Sequence, residues 1–185
     1  ETWEERVEAY SRFQKALFES GYAGIRYPKE YGGKGGSLME EIIVAEELAP
    51  IYRHFGSVGI IGHGMAGPTI LICGTEEQKK KYLKKIWDGT HIWCQAFSEP
   101  NAGSDLGAIK TSAVRKGDGW AIDGMKTWSS SGPYADFHTV LCQTNPQKGL
   151  RGLLYFLVPS DTPGFSCSQR FKTLGTRTSA FSEIY

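Results

Sequence analysis

The sequence carries no excess charge and no paired metal ligands, and each absence closes off a class of function. Its 21 Lys and Arg balance 20 Asp and Glu, for a formal net charge of +1. No strongly basic face is available to release phosphate counterions, so nucleic acid is excluded as a partner. Cys73, Cys94, Cys142 and Cys167 lie far apart without a CxxC pair, and His54, His63, His91 and His138 are scattered without an HExxH. Neither zinc ligation nor a disulfide framework is expected, and free thiols in a reducing compartment are the plain reading. Ser129-Ser130-Ser131 lacks the G-x-S-x-G context of a nucleophile elbow, and Gly33-Lys34 lacks the spacing and the following hydroxyl of a P-loop, so nothing points to hydrolysis. The opening Glu1-Thr2-Trp3-Glu4-Glu5 is acidic and helix-like, unlike a secretory leader. The uncharged stretch from His54 to Thr75 is long enough to raise the question of a bilayer span. Gly56, Gly59, Gly62, Gly64, Gly67 and Pro68 interrupt it, and His54 and His63 are polar. A closely packed helix pair is expected there, with no membrane span.

What remains is a globular composition, 40% hydrophobic with 22% charged residues, in a chain long enough to bury roughly 70% of its unfolded surface. The 23 glycines are its one excess. The first half reads as helical. Thr2-x-x-Glu5, Ser37-x-x-Glu40 and Thr75-x-x-Gln78 have the form of capping boxes. The first helix puts Trp3, Val7, Tyr10, Phe13 and Leu17 on one face and ends near Gly21. The second runs to about Ala49, before Pro50, and the third turns Tyr82, Leu83, Ile86 and Trp87 inward with a solvated lysine face. Tyr27 to Gly36, with one proline and four glycines, is expected to be irregular. From about Ile92 the period changes to short β-rich runs: Thr111–Val114, Trp120–Ile122, Thr127–Ser130, Thr139–Cys142, Leu153–Val158 and Ala180–Tyr185. The fold class is therefore α+β. A helical domain over residues 1–92 precedes an antiparallel β-barrel or sandwich over 93–185, with no parallel sheet.

Three segments could carry chemistry. Gly62-His63-Gly64-Met65-Ala66-Gly67 satisfies G-x-G-x-x-G with Asp88 about twenty residues on. Pro68 follows where a phosphate-binding helix should be running, and Asp88 ends a lysine-rich helix rather than a strand, so the glycines read as close helix contacts. Gln95-Ala96-Phe97-Ser98-Glu99-Pro100-Asn101-Ala102-Gly103-Ser104-Asp105 gathers hydroxyls and amides in a loop after a strand. It could hold an anionic or hydrogen-bond-accepting ligand, or be an ordinary capped turn. Lys126-Thr127-Trp128-Ser129-Ser130-Ser131-Gly132 sets an indole two residues from a hydroxyl on one strand face. That suits a flat heteroaromatic cofactor, and equally a core tryptophan.

Together these segments resemble the acyl-CoA dehydrogenase family, over nearly the whole length. In family order come Gly21-Tyr22-Ala23-Gly24, Tyr27-Pro28-Lys29-Glu30-Tyr31-Gly32-Gly33, Glu46-Glu47-Leu48 and Gly74-Thr75-Glu76-Glu77-Gln78-Lys79 with Tyr82-Leu83. The signature Ser98-Glu99-Pro100-Asn101-Ala102-Gly103-Ser104-Asp105 and then Gly124-Met125-Lys126-Thr127-Trp128 follow. Trp93-Cys94-Gln95 before Phe97-Ser98-Glu99-Pro100 looks most like the actinobacterial branch, several of whose members act on bulky or steroid-derived thioesters. The resemblance implies an FAD flavoprotein that oxidises an acyl-CoA to the trans-2-enoyl-CoA, with an electron-transfer flavoprotein as acceptor. Carried over by position, Gln95, Ala96, Phe97 and Ser98 would run along the flavin ring. Trp128 would pack on it, and Ser129 and Ser130 would lie at its edge with the Ser130 hydroxyl nearest. Gly103 and Ser104 would close the phosphate side, Ser104 reaching the CoA moiety.

This chain departs from the family pattern in three ways. Phe97 stands at a usually aliphatic position, and Ser130 stands where Thr is common, keeping the hydroxyl without the β-branch. Family members continue past Ser182-Glu183-Ile184-Tyr185 into a C-terminal helical bundle with the catalytic Glu, so no residue of this chain is assigned as the base, and the fragment alone is expected to be inactive. Glu99 and Asp105 correspond to structural positions in the turn. The resemblance further implies a homo- or heterotetramer, and bacterial cytoplasm or, in a eukaryote, the mitochondrial matrix. An oxygen-using acyl-CoA oxidase or flavin monooxygenase and a non-catalytic partner subunit are the alternatives, with a nicotinamide oxidoreductase behind them.

Overall fold

A computed structural model describes residues 2–185. Its contacts divide the chain into two units. One ends at Trp93 and takes in Leu174–Ser179; the other comprises Cys94–Thr173 and Ala180–Tyr185.

The first unit is helical: α1 (Trp3–Ser20), α2 (Leu38–Phe55), α3 (Gly67–Cys73) and α4 (Glu76–Trp87). Capping boxes open α1, α2 and α4, each with both reciprocal hydrogen bonds. At α4 the Gln78 amide donates to Thr75 Oγ1 (3.2 Å) and the Thr75 amide to Gln78 Oε1 (2.9 Å). Thr75→Ala is expected to cost about 1 kcal/mol of stability, read by chemical denaturation; an unchanged midpoint would count against the box. Helix α1 closes at Gly21, whose φ of 80° lets its amide reach back to the Leu17 and Phe18 carbonyls.

α1 and α4 meet through a polar contact inside the unit. Buried Gln14 donates from Nε2 to the Trp87 carbonyl (2.8 Å) and accepts at Oε1 from the Tyr52 hydroxyl (3.0 Å). Tyr82, Leu83, Ile86 and Trp87 are all buried, and Lys80, Lys81, Lys84 and Lys85 are exposed.

Three expectations are corrected in this unit. Helix α2 runs through Pro50 to Phe55. A proline inside a helix withdraws the bond to the carbonyl four residues back, here Glu46. Both residues are exposed, so water can take over that carbonyl. The 27–36 segment contains one regular turn, a 3-10 turn at Lys29–Tyr31 stopped by Gly32 at φ 86°. The stretch after His54 is packed on one side only. It ends α2, passes a π-helical turn at Gly62–Ala66 and continues into α3, with Ile60 and Ile72 exposed. The expected close approach holds at Gly59 and Gly67, where an added Cβ would overlap the Tyr10 hydroxyl and the Trp87 ring. Among the described residues, no helix is long and apolar enough to cross a membrane.

The second unit carries a seven-stranded mixed sheet: β1 (Trp93–Ala96), β2 (Ser112–Lys116), β3 (Gly119–Asp123), β4 (Lys126–Ser130), β5 (Phe137–Gln143), β6 (Leu153–Pro159) and β7 (Phe181–Ile184). The order is β3-β2-β5-β1-β4-β7, with β6 beside β5. β2 and β3 form a hairpin from Ser112↔Asp123 to Lys116↔Gly119, and β5 and β6 pair along their full length. The barrel expectation is corrected: β3 and β7 end the order without pairing each other, so the sheet is open. The expectation of no parallel pairing is corrected as well, because β2 meets β5 in the same direction at Ser112↔Gln143. Gln95 and Ala96, expected in a loop, are the last two residues of β1, in which Trp93, Cys94 and Ala96 are buried.

Candidate ligand site in the sheet unit

The segments that stood out in the sequence meet beside β1 and β4, which pair at Gln95↔Ser130. The chain leaves β1 through Phe97 and Ser98, and the Ser98 carbonyl accepts from the Thr127 amide (2.8 Å). A tight turn follows, closed by the Glu99 amide on the Ala102 carbonyl (2.8 Å) and the Ala102 amide on the Glu99 carbonyl (3.0 Å). Ala102 is buried with Ile109 and Leu141, and Phe97, Leu106 and Leu153 pack against them.

The turn is anchored by charge. One oxygen of the Glu99 carboxylate accepts from Lys126 Nζ (2.8 Å) and the Thr111 amide (2.9 Å), and the other from the Lys110 amide (2.8 Å). The Lys126 and Glu99 side chains are only 2% and 9% exposed. Burial by itself would raise the Glu99 pKa; the hydrogen bonds from Lys126 and the two amides outweigh it and hold the carboxyl at about 2. Glu99 is thus an ionised structural anchor whose oxygens are already engaged, in keeping with its place in the turn. Lys126 was quoted in the sequence without a role. The available signal was a lone cation inside a β-rich run, which requires a buried counter-charge.

Trp128 occupies a distortion of β4. The register between β4 and β7 shifts between Lys126 and Ser129, and Trp128 has φ 57°. Ser131 follows at φ 66°. Two non-glycine residues in the left-handed region within four positions constitute local strain, which a surrounding structure has to hold in place. The bulge leaves Trp128 59% exposed. Its ring meets Phe171 and Phe181 edge-on, with centroids 5.1 and 6.0 Å apart. No local pattern in the sequence joined these two phenylalanines to Trp128, because both come from distant parts of the chain.

The structure brings Gln95, Ala96, Phe97 and Ser98 together with Trp128, Ser129 and Ser130 through the β1–β4 pairing. It places them differently in depth. Ser98 and Ser130 are half-buried, while Ala96 and Ser129 are buried, Ser129 opposite Ser182 on β7. Gly103 and Ser104 are exposed on the outer part of the turn, with open space around the Cα of Gly103, and are not hydrogen-bonded to β4 among the described residues. The paired segments thus carry an exposed indole at Trp128 and neutral, half-buried hydroxyls at Ser98 and Ser130. That set fits a planar heteroaromatic ring whose edge accepts hydrogen bonds. Among the described residues no group of three or more His, Cys, Asp or Glu is placed to hold a metal ion.

The chain is thus a helical unit followed by a mixed-sheet unit that carries the candidate site. Residues 1–90 match the family model "Acyl-CoA dehydrogenase, N-terminal domain" and residues 94–185 match "Acyl-CoA dehydrogenase, middle domain". The chain belongs to the acyl-CoA dehydrogenase family. It is 35% identical over 184 residues to acyl-CoA dehydrogenase IpdE1 of Mycobacterium tuberculosis, covering 98% of this chain and 46% of that one. Its fold superposes on the prolyl acyl carrier protein oxidase AnaB with a TM-score of 0.85 at 29% identity, covering 96% and 47% of the two chains. A protein solved as an FAD-dependent dehydrogenase matches with a TM-score of 0.83 at 29% identity, covering 99% and 53%. The chain spans about half the length of the curated relatives it matches.

Proposed function

We propose that this chain supplies the helical and flavin-facing parts of an FAD-dependent oxidoreductase that converts an acyl-CoA thioester to its trans-2-enoyl-CoA. The observation that carries the reading is the β1–β4 site: the Phe97–Ser98 loop and the strained Trp128 strand held side by side by a buried ion pair. FAD, when bound, supplies the acceptor for the β-hydrogen and its electron pair. Within this chain Ser98 and Ser130 donate hydrogen bonds to the ring edge, and donors fixed before the reaction cost no reorganisation during it. Trp128 would pack against the ring and help to exclude water from it. Gln95, Ala96 and Phe97 form the strand and loop that would run along the ring, and Ser129 is buried beside them in β4. Gly103 and Ser104 lie open at the turn, where Ser104 can bond the CoA moiety. No residue of this chain is assigned as the base that takes the α-proton, since Glu99 is committed to Lys126.

The same reading takes an electron-transfer flavoprotein as electron acceptor, a tetrameric assembly and a cytoplasmic location, or the mitochondrial matrix in a eukaryote. The likeness to AnaB favours one second reading, in which molecular oxygen takes the electrons.

The protein purified at its full natural length should show flavin absorption that bleaches anaerobically on adding acyl-CoA. Absence of flavin bands, or no bleaching by any acyl-CoA, would sink the reading; peroxide formed without a partner protein selects the oxidase. Trp128→Ala should weaken FAD binding about tenfold, the equivalent of roughly 1.4 kcal/mol of lost aromatic contact, in a fluorescence titration. An unchanged Kd would remove Trp128 from the site.

A further inference from the structure

The direction of one backbone donor in the site is set from behind by a side chain. The Phe97 carbonyl accepts from Lys126 Nζ at 3.0 Å, and among the described residues the peptide bonds are all trans. In a planar trans peptide the carbonyl and the next N–H point in opposite directions. The Ser98 N–H is therefore turned away from the Lys126 ammonium. The next peptide obeys the same rule: the Ser98 carbonyl bonds the Thr127 amide, and the Glu99 N–H points the other way, onto the Ala102 carbonyl at 2.8 Å. The Glu99 N–H is thus consumed by the turn, whereas the Ser98 N–H has no partner among the described residues.

We propose that Lys126 is a positioning residue for the cofactor site, its buried ammonium holding the Phe97–Ser98 peptide so that the Ser98 N–H is presented to an acceptor on the flavin edge. This rests on the flavin reading given above. The residue type follows from the geometry. The group that reaches the Phe97 oxygen from a neighbouring strand sits in a nearly dry place, 2% exposed, and must be a strong donor on a long stem. Lysine supplies both and carries a charge that cannot be buried alone. Glu99 offsets that charge from the turn, so one ammonium bridges the Ser98-to-Asp105 signature and the Gly124-to-Trp128 segment. The two stretches of sequence that stand out separately are a single device in space, with the pair as its anchor and the Ser98 N–H as its output.

A purely structural ion pair would affect folding and cofactor affinity together; a positioning lysine separates them. Glu99→Gln keeps the ammonium on the Phe97 oxygen but leaves it without a counter-charge. The double variant Glu99→Gln/Lys126→Met removes both charges, a change that buried pairs tolerate, and with them the hold on Phe97. In the protein at its full natural length, thermal unfolding of the apoprotein and FAD titration by fluorescence are measured side by side. The single variant should unfold at a lower temperature yet bind FAD within about threefold of wild type. The double variant should recover most of the unfolding temperature and bind FAD about tenfold more weakly, the loss of one well-aimed hydrogen bond. Amide exchange at Ser98 in the wild type gives a readout that no substitution disturbs: fast in the apoprotein and protected once FAD is added. Wild-type affinity in the double variant, affinity that tracks unfolding temperature across both variants, or a Ser98 amide that stays unprotected with FAD bound each overturns the proposal. A wild-type protein that takes up no FAD overturns the flavin reading itself and is seen before any substitution is made.

Discussion

Glu99→Gln is expected to destabilise the sheet unit by about 3 kcal/mol at pH 7, and the gap to wild type should close as the solution is acidified. Removing one partner of a buried pair leaves the other charge uncompensated, which costs about 3–5 kcal/mol; Lys126, 2% exposed, is such a charge. The pKa gives a similar figure. The Glu99 carboxyl titrates at about 2 in the fold, against roughly 4.3 in an unfolded chain, and one pKa unit is worth about 1.4 kcal/mol. A folded pKa below the unfolded one means that the unfolded state binds the proton first. The contribution is therefore complete above about pH 4.3 and is lost as pH falls through about 2. Urea unfolding at pH 7 and at pH 3 measures it. Other carboxylates titrate in the same window, but they are common to both proteins and cancel in the difference. A gap that is the same at both pH values would mean that Glu99 is not held ionised by Lys126.

The helix starts were legible because a capping box is local: a hydroxyl and, three residues on, a Glu or Gln suffice to place it, and all three boxes formed where Thr2, Ser37 and Thr75 put them. The positions of β2 to β7 were legible for the same reason, since alternation and turn residues are read within a few positions, whereas β1 was not among the runs read as strands. What is decided between distant segments was not. The open edge, the parallel β2–β5 contact and the bulge at Trp128 depend on which strands meet, and nothing within β4 announces φ 57° at a tryptophan. Pro50 misled because proline's local rule was applied without knowing that α2 is exposed there. The site shows the same division. The residues of the loop and of β4 stood out as text, and the resemblance named them, but that Lys126 joins one to the other is a fact of pairing across 27 positions.

The second large effect concerns the glycines that spell a dinucleotide fingerprint. Gly67→Ala is expected to cost about 2–3 kcal/mol, while Gly64→Ala, three residues away, should stabilise by about 0.5–1 kcal/mol. Both positions are helical, so alanine is the better residue at each by propensity alone. They differ in what surrounds them. A methyl on Gly64 meets nothing within 4 Å, and one on Gly67 would overlap the Trp87 ring. That ring cannot retreat: it is fully buried and stacked on Tyr27 with centroids 3.9 Å apart. Forcing a methyl into such a core displaces packed side chains, at about 1–3 kcal/mol and occasionally more. For a chain of this length the loss at Gly67 lowers the unfolding temperature by on the order of 5–10 °C. A phosphate-binding loop would behave otherwise, because each glycine would then be required by the ligand and the apoprotein would tolerate alanine at both. Thermal unfolding of the two variants without any ligand decides between these accounts. Equal effects at Gly64 and Gly67 would refute the packing account; opposite signs would leave the fingerprint as the sequence trace of a helix held close against Trp87.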